Sequence, residues 1–203
     1  MQKGVQKSSL EKLKKIKKYT KVEFLYTVKF CMDLVKELIN KTPYVWWKDG
    51  ESTLEKEAPF YCKTIPSVST IQTSGCNCAG LINLLHLGKG QTVPGVKSEM
   101  YYAGGTYVWY EYLDSLGLLE PIDLTKEYPV GSLLLRDYKS VEDQGHVAVL
   151  WTNGPCEKQK LLHCYPDAGI QVNDFNESHS WIDGGYYERI CVNWLSLDLE
   201  PHY

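Results

Sequence analysis

Apolar residues recur at helical spacing over residues 23–40. Phe24, Leu25, Val28, Cys31, Met32, Val35, Leu38 and Ile39 fall on one wide face. The spacing predicts a core-packing helix, with Cys31 inside, that Thr42-Pro43 brings to a stop. Tyr44-Val-Trp-Trp-Lys-Asp-Gly50 follows as an aromatic segment closing on a turn. Residues 51–73 are polar and broken by Pro59 and Pro66, and they predict a long loop. In Ser74-Gly-Cys-Asn-Cys-Ala-Gly-Leu-Ile-Asn-Leu-Leu85 a polar turn runs straight into an apolar helix with Cys78 at its start. Asn77 suits the N-cap, and Gly88 suits a left-handed stop. Residues 88–106 read as loop, and Tyr107 to Leu116 as a short helix ended by Gly117.

The second half changes period. Ser132-Leu-Leu-Leu-Arg136, Gly145-His-Val-Ala-Val-Leu-Trp151, Lys160-Leu-Leu-His-Cys-Tyr165, Gly169-Ile-Gln-Val172 and Tyr186 to Trp194 predict five strands. Thr152-Asn-Gly-Pro-Cys-Glu157 is the turn between the second and third. Helices first and a meandering antiparallel sheet after predict an α+β domain.

Candidate chemistry sits at three positions. A thiol in the first turn of a helix meets the positive end of the peptide dipoles, and this favours thiolate, so Cys78 is a candidate nucleophile. Alternate strand residues share a face, which puts His146 with Ala148 and Leu150, and His163 with Leu161 and Tyr165. Folding the hairpin about Gly154-Pro155 sets His146 directly opposite His163, with Cβ atoms about 5 Å apart. One imidazole then orients the other and decides which nitrogen carries the proton. A slip of one residue would put them on opposite faces. His86, His179 and His202 are expected on a helix surface, a loop and a tail. Cys62, Cys76, Cys78 and His86 lack zinc-knuckle spacing, so no metal and no cofactor is expected.

Taken in order, Tyr44-Val-Trp46, Cys78-Ala-Gly-Leu81, Gly131-Ser-Leu-Leu134, Gly145-His-Val147 and His163 resemble the motifs of the NlpC-type peptidases, papain-like cysteine peptidases of cell-wall peptides. The resemblance spans roughly residues 23–194 and implies an NlpC-type papain-like fold, with N-terminal helices packed on a mainly antiparallel five- to six-stranded sheet. It implies a Cys78, His146, His163 triad and a Tyr44 hydroxyl facing the nucleophile as an oxyanion candidate. The substrate it implies is a cell-wall peptide of the γ-D-glutamyl-diamino acid type. The residues flanking the nucleophile, which help hold a free amino end in some members, are Asn77 and Ala79 here, without charge or hydroxyl. The family's Gly-Gly after tryptophan is Trp47-Lys48. An acyltransferase or esterase on a non-cell-wall substrate, or an inactive peptide-binding module, are the alternative readings.

Composition adds bounds. The chain has 203 residues, 43% of them hydrophobic, and a net charge of −3. One domain, residues 23–203, and a monomer are expected. Residues 1–22 carry eight lysines against one glutamate, so a basic arm precedes an acidic body. Such an arm suits an anionic partner or a solvated tail. No apolar run approaches a membrane span. The lysine-rich start lacks the core of a signal peptide, which predicts a cytoplasmic protein, with a phage or virus particle or a non-classical route as alternatives. Seven scattered cysteines read as free thiols.

Overall fold

The computed structural model describes residues 17–18, 21–46, 60–100, 102–136, 145–175 and 187–199. Most of the lysine-rich arm, Trp47 and Lys48, residues 51–59, Tyr186, His179 and His202 lie outside the described residues. Four α-helices are described: α1 (Lys21–Leu38), α2 (Val68–Ser74), α3 (Cys78–Gly88) and α4 (Thr106–Ser115). The strands are β1 (Lys17–Lys18), β2 (Leu119–Pro121), β3 (Leu133–Arg136), β4 (His146–Leu150), β5 (Lys160–Tyr165), β6 (Gly169–Asp174), β7 (Arg189–Cys191) and β8 (Leu197–Asp198).

Six strands form one sheet in the order β2-β7-β3-β4-β5-β6, antiparallel throughout, so the fold is α+β. The meander runs from β3 to β6. The chain then returns to lay β7 beside β3, and β2 closes that edge. The expected antiparallel sheet is thus present, its meander extended at the β3 edge by β7 and β2. The small β1–β8 pair joins Lys17 and Lys18 to the last described strand, so these two residues of the expected arm are paired backbone rather than tail.

The core follows from strand alternation. Leu133, Leu135, Val147, Val149, Leu162 and Cys164 face the helices and pack with Leu81, Leu84 and Leu85 of α3 and with Leu34, Val35 and Leu38 of α1. Leu134, Ala148, Leu150, Leu161 and Ile190 face the other way, against Phe175 and Tyr187. In α1, Cys31, Leu34, Val35 and Leu38 are buried at helical spacing, whereas Met32, expected on the same face, is 40% exposed.

Three local expectations are revised. The expected loop 51–73 contains α2, whose N-cap Ser67 accepts a bond from Thr70 N at 3.1 Å. Its residues are weak helix formers and only Ile71 is buried, so no period betrays it. Helix α3 runs through Gly88, and the left-handed residue is Gly90, at φ 75°. Gly88 is small because a Cβ there would stand 2.3 Å from the Phe30 ring. The expected strand 186–194 shrinks to β7, since left-handed Asn193 ends it and Trp194 enters a 3-10 turn.

Candidate active site

Helix α3 presents Cys78 as its first residue. Asn77 caps it, with Oδ1 accepting from Gly80 N at 2.7 Å. The oxygen of Asn77 is therefore spent on the helix, and the side chain is 5% exposed. Ala79 offers no polar group. Both line the pocket over Cys78, yet neither presents an anion to a substrate.

The Cys78 sulfur lies 3.8 Å from the Thr106 hydroxyl at the start of α4. The nearby backbone N–H groups of Val147 and Ala79 favour its charged form. The Val147 N–H belongs to the peptide unit that joins Val147 to His146. The sulfur is thus near the peptide that joins Val147 to the imidazole-bearing residue, where α3 starts beside β4. Burial pushes the Cys78 thiol up from its ordinary value, Cys164 pushes the same way, and the Thr106 hydroxyl and the two N–H groups pull it down. This corrects the expected thiolate. Loss of water opposes the helix dipole and favours the thiol.

On the sheet, His146 Nε2 meets His163 Nδ1 at 3.3 Å, ring to ring at 85°. The expected register, His146 opposite His163, does not occur. β4 and β5 pair Val149 with Leu162 and Leu150 with Leu161. Continued to the strand end, this sets His146 opposite Tyr165, two residues away. The connection contains a 3-10 turn, Cys156–Lys158, which moves the fold point along the chain. A slip of two keeps every side chain on its face, so the histidines meet diagonally instead of directly.

The chain of bonds continues. His163 Nε2 lies 3.0 Å from Asn173 Oδ1 on β6. A carbonyl oxygen only accepts, so His163 carries its proton on Nε2 and leaves Nδ1 bare. That bare nitrogen accepts from His146 Nε2–H. His146 Nδ1 is then the unprotonated nitrogen, the form a base requires. Burial holds His146 well below its ordinary value, with the charges of His163 and Arg136 acting the same way. Arg136 is its register partner across β3–β4. Burial also lowers His163, against the Asn173 bond. Both histidines are neutral at rest.

Tyr44, Trp46, Phe60, Thr106 and Gly145 complete the walls of a narrow pocket of about 20 Å³ over Cys78. None of the described lining side chains is charged. Burial and the neighbouring thiols push the Tyr44 phenol up, so it keeps its proton and can donate at neutral pH. Tyr44 and Trp46 also wall an open groove of about 820 Å³ between residues 40–43 and the β5–β6 turn, residues 166–169. Tyr187 packs on His146, centroid to centroid 6.0 Å, and its buried hydroxyl has no hydrogen-bond partner among the described residues.

Thr106 and Asn173 are absent from the sequence reading. Thr106 falls in a stretch read as loop, with Gly104-Gly105 as the one sign of a helix start. Asn173 lies one residue past the expected end of its strand. His86, expected on a surface, is fully buried, its Nε2 3.1 Å from Thr92 O, and it packs on Trp109 and Trp194. It belongs to the core and not to this site. All seven cysteines are free, and no group of three metal-ligating side chains exists among the described residues. No described helix is long and apolar enough to cross a membrane.

No protein-family model matches the chain, and no curated protein matches it. Among solved structures it is similar to a Staphylococcus aureus subsp. aureus Mu50 protein described as similar to lipoprotein, of the NLP/P60 family, at 14% identity and a TM-score of 0.44. The likeness covers 88% of this chain and 44% of that one, so the chain spans less than half the length of the protein it matches. At that score the likeness carries no weight for function.

Proposed function

We propose that this protein is a thiol hydrolase of amide bonds, with Cys78 as nucleophile, His146 as base and His163 as the residue that orients it. One observation carries the reading. A continuous chain of bonds from Asn173 through His163 to His146 leaves a bare imidazole nitrogen on the residue whose peptide abuts a helix-start thiol.

His146 Nδ1 takes the thiol proton as sulfur attacks the carbonyl carbon. The C–S bond forms and the carbonyl electron pair moves to oxygen. The Cys78 backbone N–H, at the free end of α3, meets that oxyanion. Collapse breaks the C–N bond, and the leaving amine takes the proton from His146. Water, giving a proton to His146, then attacks the thioester. The acid leaves and the thiol is restored. Burial favours neutral thiol and neutral imidazole alike, so proton transfer accompanies attack and no ion pair stands at rest.

The substrate class follows the motif resemblance, a cell-wall peptide. The uncharged lining beside Asn77 and Ala79 supports an acyl part with no ammonium next to the scissile bond. The same lining also suits transfer of the acyl group to an added amine, the second reading. Cys78→Ala should abolish hydrolysis and labelling by iodoacetamide, with the site of labelling read by mass spectrometry. A variant that cleaves and labels like the parent overturns the proposal. Accumulation of an acylated amine at the expense of free acid decides for transfer.

A further inference from the structure

We infer that the hydroxyl of Thr106 is the second oxyanion donor of this site, acting with the backbone N–H of Cys78. The inference rests on Cys78 being the nucleophile and adds the donor that one backbone N–H leaves missing. Thr106 opens α4, and its N-cap is Gly105, which has no side chain to stand in the way. The hydroxyl is 3.8 Å from the Cys78 sulfur, and both residues line one pocket. A donor belongs about 2.7–3.1 Å from the developing oxyanion. That oxygen is two bonds from the sulfur, so a hydroxyl already against the sulfur reaches it by rotation about one side-chain bond.

The placement is built into the core. Asn83, one helical turn and a half beyond Cys78 on α3, is fully buried. Its Nδ2 donates to Gly104 O at 3.1 Å and to Phe60 O at 2.6 Å, and its Oδ1 accepts from Trp109 Nε1 at 2.8 Å. One side chain on the nucleophile's helix therefore holds both sides of Thr106 in the chain, residue 104 before it and residue 109 after it. Gly104 has φ 73°, and a Cβ there would stand 2.4 Å from Asn83 Nδ2, so only glycine allows this junction. Two other hydroxyls compete for the role. Tyr44 shares the pocket, and the Tyr187 hydroxyl, without a partner among the described residues, lies on the imidazole side.

Two probes separate the roles. p-Nitrophenyl acetate acylates the thiol through a tetrahedral oxyanion, with p-nitrophenolate leaving. Iodoacetamide alkylates the same sulfur by displacing iodide, with no oxyanion. Thr106→Val should slow acylation about 100-fold while alkylation stays within about fivefold. Thr106→Ser should keep both within about fivefold, and Tyr44→Phe and Tyr187→Phe should lose less acylation than Thr106→Val. Equal slowing of both reactions in Thr106→Val, no slowing of acylation, or a larger loss in either tyrosine variant overturns the inference. Thr106→Ala serves in the same comparison if the valine variant melts early. If the parent reacts with neither probe at Cys78, the nucleophile reading itself fails. If it reacts and Thr106 does not matter, only this inference falls.

Discussion

Asn83→Leu is the substitution that most directly tests how the site is held. Leucine keeps the branched shape and heavy-atom count of asparagine with bulkier methyl groups, and between apolar residues a swap that conserves volume costs under about 1.5 kcal/mol. Here much else changes. Trp109 Nε1–H loses its acceptor in a fully buried position, and the carbonyls of Gly104 and Phe60 each lose a donor. A buried N–H left unpaired costs about 1–3 kcal/mol, and a carbonyl with a second lone pair costs less. The three together give a loss of about 3 to 5 kcal/mol, a large part of a typical domain's stability. For a chain of this length that lowers the melting temperature by roughly 6–20 °C. Urea or thermal unfolding followed by tryptophan fluorescence measures it. Trp109→Phe removes the stranded N–H, so Asn83→Leu combined with Trp109→Phe should cost at least about 1 kcal/mol less than the sum of the singles. Below its melting point Asn83→Leu should also lose acylation as Thr106→Val does. A loss under about 1.5 kcal/mol, or strict additivity of the pair, refutes the junction as a holding device.

Three further outcomes follow from the same geometry. His86, His146 and His163 are all held below the ordinary histidine value by burial, so the folded state binds fewer protons than the unfolded chain under acid conditions. The part of stability tied to these three histidines is complete above about pH 6.5 and is lost as pH falls, by at most about 1.4 kcal/mol per pH unit for each histidine; urea midpoints unchanged between about pH 7.5 and about pH 5 would contradict this. Asn173→Leu removes the acceptor that makes His163 a donor at Nε2, and acylation by p-nitrophenyl acetate should fall about 10- to 100-fold, with Asn173→Asp losing less because a carboxylate also accepts. Gly104→Ala forces a Cβ into Asn83 at positive φ and should destabilise by at least about 2 kcal/mol, so a melting temperature within about 2 °C of the parent speaks against the close approach.

Much of this architecture is legible along the chain because its causes are local. The apolar face of α1, the Asn77 cap ahead of Cys78, and the β5 strand from Lys160 to Tyr165 follow from spacing and capping chemistry that adjacent residues impose on one another. The face each histidine takes within its own strand follows from parity alone, whereas their meeting on one face also needs the register between the strands. The β2 edge strand and helix α2 escape because three residues and seven are too few to show a period.

The rest arises between distant segments. The turn between β4 and β5 sets their offset, and a 3-10 turn inside it changes a direct histidine pair into a diagonal one. Asn173 reaches His163 only because β6 pairs with β5, and Thr106 reaches the Cys78 sulfur only because Asn83 binds the start of α4 to α3. The charge state of the thiol is likewise a tertiary property. A helix N-terminus favours thiolate by proximity alone, but burial beneath Tyr44, Trp46 and Phe60 removes the water that would solvate the anion, and no order of residues states how much water the finished fold leaves behind.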